Sequence, residues 1–231
     1  MPDNPIHIGI AGAGRMGQAI AAGIEHQPGL ELAGIWTRDG DLDKVVEAAD
    51  VVIDFSLPEA TVEVLAAVLR HKKPLVCGVS GMNDMQMSLL DEAAGEVPIV
   101  YDRNMSLGIA VLERSVREAA ASLGPQFDVQ ISETHHIHKK DAPSGTALKL
   151  GEAVADARRE QGTGSVHFES ERRGEVPGDH EVIMTSPTER LTFGHSVTTR
   201  QVFADGALRA AQWAVDQAPG RYRMRDVLFG D

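Results

Sequence analysis

Cysteine occurs once in the 231 residues, at Cys77 inside the apolar run 74–78, so no disulfide can form within the chain. A reducing compartment fits, and in that setting the thiol reads as a small buried hydrophobe rather than a nucleophile. Positive charge is also scarce: 22 Lys and Arg stand against 34 Asp and Glu, a formal charge of -12. A surface that neutralises phosphodiester backbones needs the opposite balance, so no nucleic-acid partner is expected. Long apolar runs are missing as well. No window approaches the roughly 18 apolar residues of a membrane span. Met1 to Ile10 hold no basic region leading into an apolar stretch, so the expected location is cytoplasmic, with no membrane partner. Internal repeats and low-complexity tracts are absent too. A small anionic ligand is still allowed, because a local cluster of cations and amides outweighs net charge at short range.

From Ile6 to Asn104 short apolar runs alternate with helix-like segments, the rhythm of parallel strands covered by helices. Strands are predicted at 7–11, 30–36, 51–55, 75–79 and 99–101; several are continuous apolar runs, as strands buried on both faces require. Helices fill the gaps, notably 15–25 and 59–70, with Pro58 suited to a helix start. After Asn104 the pattern changes. Ile109, Leu112, Val116, Ala119, Ala120 and Leu123 recur every three or four residues, one apolar stripe ended by Gly124. Phe127, Val129 and Ile131 then alternate with polar residues, a strand with one wet face. A helix follows near Ser144, with Ala147, Leu150, Val154 and Ala157 on one side.

Beyond Gly162 the runs 166–168, 181–185, 190–195 and 197–203 are short and alternating, broken by Gly and Pro, and antiparallel strands are predicted there. The stretch 206–218 is again helical in period and is expected to return to the first domain. The expected fold is α/β: a Rossmann-like doubly wound parallel sheet in residues 1–104, completed by 201–231, and an α+β second domain in 105–200 with an open mixed or antiparallel sheet. One or two domains suit the length. An open sheet with a wet face points to pairing with other subunits.

Chemistry concentrates in two places. The first predicted strand runs into Gly12-Ala13-Gly14-Arg15-Met16-Gly17, a GxGxxG sequence with a helix behind it. In that setting the first glycine makes the turn, the second lets backbone amides approach a pyrophosphate, and the third lets helix and strand pack closely. Where a carboxylate would hold the ribose hydroxyls of NAD, at the end of the second strand, the chain has Trp36-Thr37-Arg38. A guanidinium there accommodates a 2'-phosphate, so NADPH is at least tolerated; Arg38 as a solvated loop residue beside Asp39 and Asp41 is the competing reading. Ligands of such sheets lie beyond the carboxyl ends of the strands, which nominates Phe55, Ser56, Gly78, Val79, Ser80, Arg103 and Asn104 as the rest of the rim.

The second place is Glu133 to Thr146, where His135, His136, His138, Lys139 and Lys140 crowd together in an acidic protein. A metal site and a solvated basic strand end are two readings of it, although no cysteine or second histidine pair lies at convincing metal spacing. The third treats the cluster as a unit: lysines and a protonated histidine attract carboxylates, and Ser144, Gly145 and Thr146 at a helix start offer free amides to an anion. A proton donor then sits beside an anion site.

The chain resembles the 4-hydroxy-tetrahydrodipicolinate reductases, formerly dihydrodipicolinate reductases, of lysine and diaminopimelate biosynthesis. The resemblance rests on Gly14-Arg15-Met16-Gly17, on 52–56 with Pro58 and Glu59, on Asn104-Met105-Ser106 with Gly108, and above all on 133–146. It continues through Gly174-Glu175-Val176-Pro177-Gly178 and 224–228. It implies hydride transfer from NADH or NADPH to a cyclic imine dicarboxylate, with His135 as general acid/base, Lys139 as proton donor, His136 as a substrate contact, and Gly145 and Thr146 as the amides that grip a carboxylate. It also implies cofactor contacts at Gly12 to Met16, Thr37, Arg38, Gly78 to Ser80 and Arg103 to Met105, no metal, and a homotetramer joined through the sheet of a substrate-binding and oligomerisation domain. The glycine loop is one residue shorter than the family's usual form. The segment between the second and third strands and the part after Gly178 are abbreviated, and Thr37 replaces an acidic residue. Another dehydrogenase of this architecture, acting on an acyclic semialdehyde, and a non-catalytic NADPH-sensing protein are the rival readings.

Overall fold

The computed structural model describes residues 4–230, which divide into two compact units: residues up to Ser106 and from Gln201 on, and Leu107–Arg200. In chain order the first unit contains β1 (Ile6–Ala11), α1 (Arg15–Glu25), β2 (Leu30–Trp36), α2 (Leu42–Ala48), β3 (Val51–Asp54), α3 (Thr61–His71), β4 (Leu75–Cys77), α4 (Asp84–Ala94) and β5 (Pro98–Tyr101). The second contains α5 (Leu107–Leu123), β6 (Asp128–His135), α6 (Gly145–Arg158), β7 (Val166–Arg172), β8 (Asp179–Thr185) and β9 (Arg190–Ser196). The chain then returns to the first unit with α7 (Gln201–Ala214), β10 (Gly220–Tyr222) and α8 (Met224–Phe229).

The sheet of the first unit runs β10-β5-β4-β3-β1-β2, and every pair is parallel. β3 and β4 are wholly buried apolar runs apart from Asp54, as strands covered on both faces must be. The chain leaves β1 toward β2 and then crosses back to β3 on the other side, which puts the topological switch, and the crevice that goes with it, between the carboxyl ends of β1 and β3. α7 packs against α1 and against β3, β4 and β5. α7 also crosses the loop after β5 closely enough to need glycine: a Cβ on Gly206 would lie 1.7 Å from the carbonyl oxygen of Met105.

The sheet of the second unit runs β7-β6-β8-β9. β8 pairs antiparallel with β6 and with β9, but β7 pairs parallel with β6, so the sheet is mixed and the expectation of antiparallel strands fails for β7. The physical reason is α6, which lies between β6 and β7 in the chain; a crossover of that length brings the strand back in the same direction. Residues 197–203, expected as a strand, form instead a bend and the first turn of α7. The short alternation there is outweighed by the helical stripe of Ala204, Ala207, Leu208, Ala211 and Ala214, all buried. The helix expected at 206–218 therefore begins at Gln201 and ends at Ala214.

α5 and α6 pack together and cover one face of this sheet. Along β6 the buried side chains are Val129, Ile131, Glu133 and His135, at every second position, while Asp128, Gln130, Ser132 and Thr134 face outward. The same strand periodicity that buries two apolar residues thus carries a carboxylate and an imidazole onto the covered face.

Gly206→Ala tests the α7 contact, because two effects oppose each other. Helix propensity favours alanine by about 1 kcal/mol, whereas a Cβ driven into backbone costs about 1–3 kcal/mol. Urea unfolding of the variant is expected to show a net loss of stability; a gain would mean that α7 has room to move away.

Candidate active site

In the first unit the glycine-rich turn carries out three separate tasks. Gly12 has φ +103, and a Cβ on it would lie 2.9 Å from the Phe55 carbonyl oxygen, so the turn after β1 can pass β3 only as glycine. A Cβ on Gly17 would lie 1.9 Å from the Gly12 carbonyl oxygen, which closes α1 onto the end of β1. Gly14 has nothing within 4 Å of where its Cβ would be, and as the N-cap of α1 it makes no side-chain hydrogen bond. The helix therefore begins without a side-chain cap and with open space beside its N-cap, the arrangement that fits a pyrophosphate. Ala13, Arg15 and Met16 complete this turn.

The rim residues gather at the same end of the sheet. The Gly12 amide donates to the Trp36 carbonyl at 3.0 Å, so the end of β2 adjoins the turn. Thr37 and Arg38 follow, both exposed, in a tight turn closed by the Gly40 amide on the Thr37 carbonyl at 2.8 Å. Asp41 is spent capping α2 through the Lys44 amide. Gly78 donates to the Asp54 carbonyl, and its missing side chain is what admits the Phe55 ring, since a Cβ there would lie 2.3 Å from the ring. Val79 is buried and Ser80 exposed. After β5, Arg103 is exposed, Met105 is buried, and the Asn104 carboxamide accepts from the Ser106 amide at 2.8 Å.

The second unit builds its site around Glu133, which is almost wholly buried. One carboxylate oxygen pairs with Nδ1 of His135; the other accepts from Arg172 Nη1 at 3.0 Å and from the Ser144 amide at 3.3 Å. Burial alone would raise the Glu133 pKa, but hydrogen bonds from Ser170, His135 and Arg172 outweigh it and hold the carboxyl below its ordinary range. A carboxylate can only accept, so the His135 Nδ1 atom carries the proton and Nε2 is the free exchange position. A Cβ on Gly178 would lie 3.0 Å from Nε2, so glycine there keeps space beside that atom. Burial pushes the His135 pKa down, against the pull of Glu133. Desolvation thus works against the protonated histidine expected in the cluster, while Glu133 works for it.

Arg172 also ties down the loop between β6 and α6. Its Nε donates to the Lys139 carbonyl at 3.2 Å and its Nη2 to the Asp141 carbonyl. Lys139 Nζ lies 2.9 Å from an Asp141 carboxylate oxygen. Ser144 caps α6, accepting from the Ala147 amide at 3.1 Å, and its hydroxyl pairs at 3.3 Å with Nε2 of His180. The His135 and His180 rings meet edge to face, 5.1 Å apart. His135, Lys139, Ser144, Gly145 and Thr146 therefore adjoin one another, with His136 next in the chain at half burial. Ile137, His138 and Lys140 point outward and do not join them. Among the described residues, Nδ1 of His136 and Nδ1 of His180 are buried without a hydrogen-bond partner, and no group of three or more His, Cys, Asp or Glu is arranged to hold a metal.

Four contributors were assigned no role from the sequence: Glu133, Asp141, Arg172 and His180. Arg172 and His180 lie on β7 and β8, and only strand pairing brings them to β6, with Arg172 opposite His135 and His180 opposite Glu133. Glu133 and Asp141 had been counted inside the basic cluster without a role.

Two family models match: "Dihydrodipicolinate reductase, N-terminus" over residues 6–105 and "Dihydrodipicolinate reductase, C-terminus" over 108–228. A protein of Zymomonas mobilis named 4-hydroxy-tetrahydrodipicolinate reductase is 41% identical, with 98% of each chain covered. One of the same name from Bdellovibrio bacteriovorus is 43% identical, with 97% of each covered. Among solved structures, a dipicolinate-bound dihydrodipicolinate reductase from Paenisporosarcina sp. TG-14 shares the fold, with a TM-score of 0.80 at 21% identity over 95% of this chain and 97% of that one. A diaminopimelate dehydrogenase of C. glutamicum is more distant, with a TM-score of 0.59 at 15% identity, covering 96% and 94%.

Stability should fall in acid through the buried histidines. Burial lowers the His180 pKa from 6.5 to about 3, so the stability it contributes is full above pH 6.5 and is lost as pH falls toward 3. Between pH 7 and pH 5 that one group accounts for about 2 kcal/mol. His180→Gln should flatten the dependence of urea unfolding on pH by that amount, and an unchanged slope would show that the ring is protonated without cost.

Proposed function

The chain belongs to the dihydrodipicolinate reductase family, and from that premise we propose that it carries out the reaction of 4-hydroxy-tetrahydrodipicolinate reductase. It is an NADH- or NADPH-dependent oxidoreductase of lysine and diaminopimelate biosynthesis, reducing a cyclic imine dicarboxylate to tetrahydrodipicolinate. Relatives matched along their whole length carry that name, which favours this reaction over an acyclic semialdehyde dehydrogenase and over a non-catalytic sensor. The observation that carries the chemistry is the grouping of a carboxylate-anchored imidazole, an ammonium and the first amides of a helix on one side of the second unit.

Residues 1–104 with 201–231 serve as the dinucleotide-binding domain, and 105–200 as the substrate-binding and oligomerisation domain. Gly12, Ala13, Gly14, Arg15 and Met16 face the pyrophosphate; Thr37 and Arg38 take the adenosine ribose; Gly78, Val79, Ser80, Arg103, Asn104 and Met105 complete the cofactor rim. The bare start of α1 supports this assignment. When bound, the reduced nicotinamide supplies the hydride. The chain's own residues supply charge and protons. His136, Ser144 and the Gly145 and Thr146 amides hold the dicarboxylate, where positioning and charge neutralisation are the main levers. Lys139 donates the proton that balances the arriving electron pair. His135, held at Nδ1 by Glu133, exchanges protons at Nε2 as general acid/base. The protein assembles as a homotetramer in the cytoplasm.

His135→Ala and Lys139→Ala, followed at the nicotinamide absorbance band with freshly generated imine, should each lose about 100-fold or more in kcat. Wild-type rates in both would remove the roles assigned to them. Arg38→Ala should raise KM for NADPH about tenfold or more relative to NADH, the worth of one charge-assisted contact to a 2'-phosphate. Equal changes with both cofactors would make Arg38 a solvated loop residue.

A further inference from the structure

The ammonium that the proposed reaction uses as proton donor, beside the amides that hold the dicarboxylate, is already in contact with a carboxylate of the chain itself. Lys139 Nζ lies 2.9 Å from Asp141 Oδ1, and the same carboxylate faces the start of α6 at Gly145. An ammonium and a helix N-terminal amide are the two partners that a bound anion would need, and Asp141 stands before both. The aspartate is not built in: its side chain is more than half exposed, whereas the lysine beside it is mostly covered. The backbone around it is fixed, because the Arg172 guanidinium, itself anchored on buried Glu133, holds the carbonyls of Lys139 and Asp141. What is free to move is therefore the Asp141 side chain, by a rotation about its own bonds, while the loop stays in place.

We infer that Asp141 is an internal stand-in for a substrate carboxylate: it occupies the Lys139 and Gly145 anion position in the empty site and swings out to solvent when the dicarboxylate enters. This rests on the substrate site proposed above. The exchange is one carboxylate for another, so the charge facing Lys139 is the same before and after, and the ammonium is not left without a partner at any stage. The arrangement weakens binding, since the ligand competes with an intramolecular rival that is present in every molecule. It also speeds departure of the product, because the rival re-enters as the ligand leaves.

The test is calorimetric titration of pyridine-2,6-dicarboxylate into the full-length protein saturated with NADH, comparing wild type, Asp141→Ala, Asp141→Asn and Lys139→Ala. Both Asp141 variants should bind about two- to fivefold more tightly, the share that one partly exposed ion pair contributes, and KM for the imine should fall by the same factor. Asp141→Asn keeps a polar side chain facing Gly145 and guards against a loop that collapses in the alanine variant. Equal or weaker binding in Asp141→Asn, with Lys139→Ala weakened, would overturn the stand-in and leave the substrate site in place. Unchanged binding in Lys139→Ala would instead remove the substrate site and the stand-in with it.

Discussion

The second unit depends on keeping one carboxylate ionised where water does not reach. Glu133 faces the covered side of the sheet, and an ion there is tolerated only when its acceptor positions are filled. The donors come from three elements: His135 from the same strand, Arg172 from β7, and the Ser144 amide from the start of α6. Each has its own geometric demand. Arg172 reaches Glu133 only if β7 runs parallel to β6 in the observed register, with Arg172 opposite His135. Ser144 reaches it only if the loop after β6 folds back over the strand. Strand register, loop path and helix position thus all meet at one buried charge, and the imidazole orientation follows from the same contacts.

Both units use a helix N-terminus, and they differ in how much of it they leave open. α1 begins at Gly14, which has no side chain to turn back onto the first amides and no neighbour near its Cβ position. α6 begins at Ser144, whose hydroxyl satisfies the Ala147 amide, while the Asp141 carboxylate sits before it, paired with Lys139. A diphosphate is large and doubly charged, so it benefits from a wide unobstructed amide array. A single carboxylate needs one or two donors and a counter-charge, which suits a helix end that is partly capped and placed beside a lysine. In the proposed reading, the two N-terminal residues divide the ligand classes between the units.

How much of this the sequence revealed depends on the range of the signal. β2 and α1 were read with their observed ends because a continuous apolar run and the glycine turn are local features. The N-cap at Ser144 was local too, as was the alternation along β6. What failed was pairing information. The direction of β7 depends on the α6 crossover, and the helical identity of 201–203 depends on the packing of α7 against β3, β4 and β5. β10 has three residues of intermediate burial and no periodicity, so nothing local marks it as a sheet edge. The site divided along the same line. His135, Lys139 and the α6 amides are consecutive enough to be seen together, whereas Arg172 and His180 join them only through strands that lie apart in the chain.

The overall acidity of the chain is no obstacle to an anionic ligand, and the distances show why. Charges on the far surface act across many ångströms of water and salt, where screening over about 10 Å removes most of their effect. The groups around Lys139 act at about 3 Å, in a region where burial of Glu133 and His135 keeps the local dielectric low. Net charge therefore governs how fast a dianion approaches, and slows it, while the contacts decide how long it stays. Within those contacts the balance is close: Lys139 faces Asp141, Arg172 faces Glu133, and burial works against charge on His135. At Lys139 an incoming carboxylate meets an ammonium whose present partner is half in solvent. Such a site discriminates by geometry more than by charge, because a ligand gains only what it adds beyond the carboxylate it displaces.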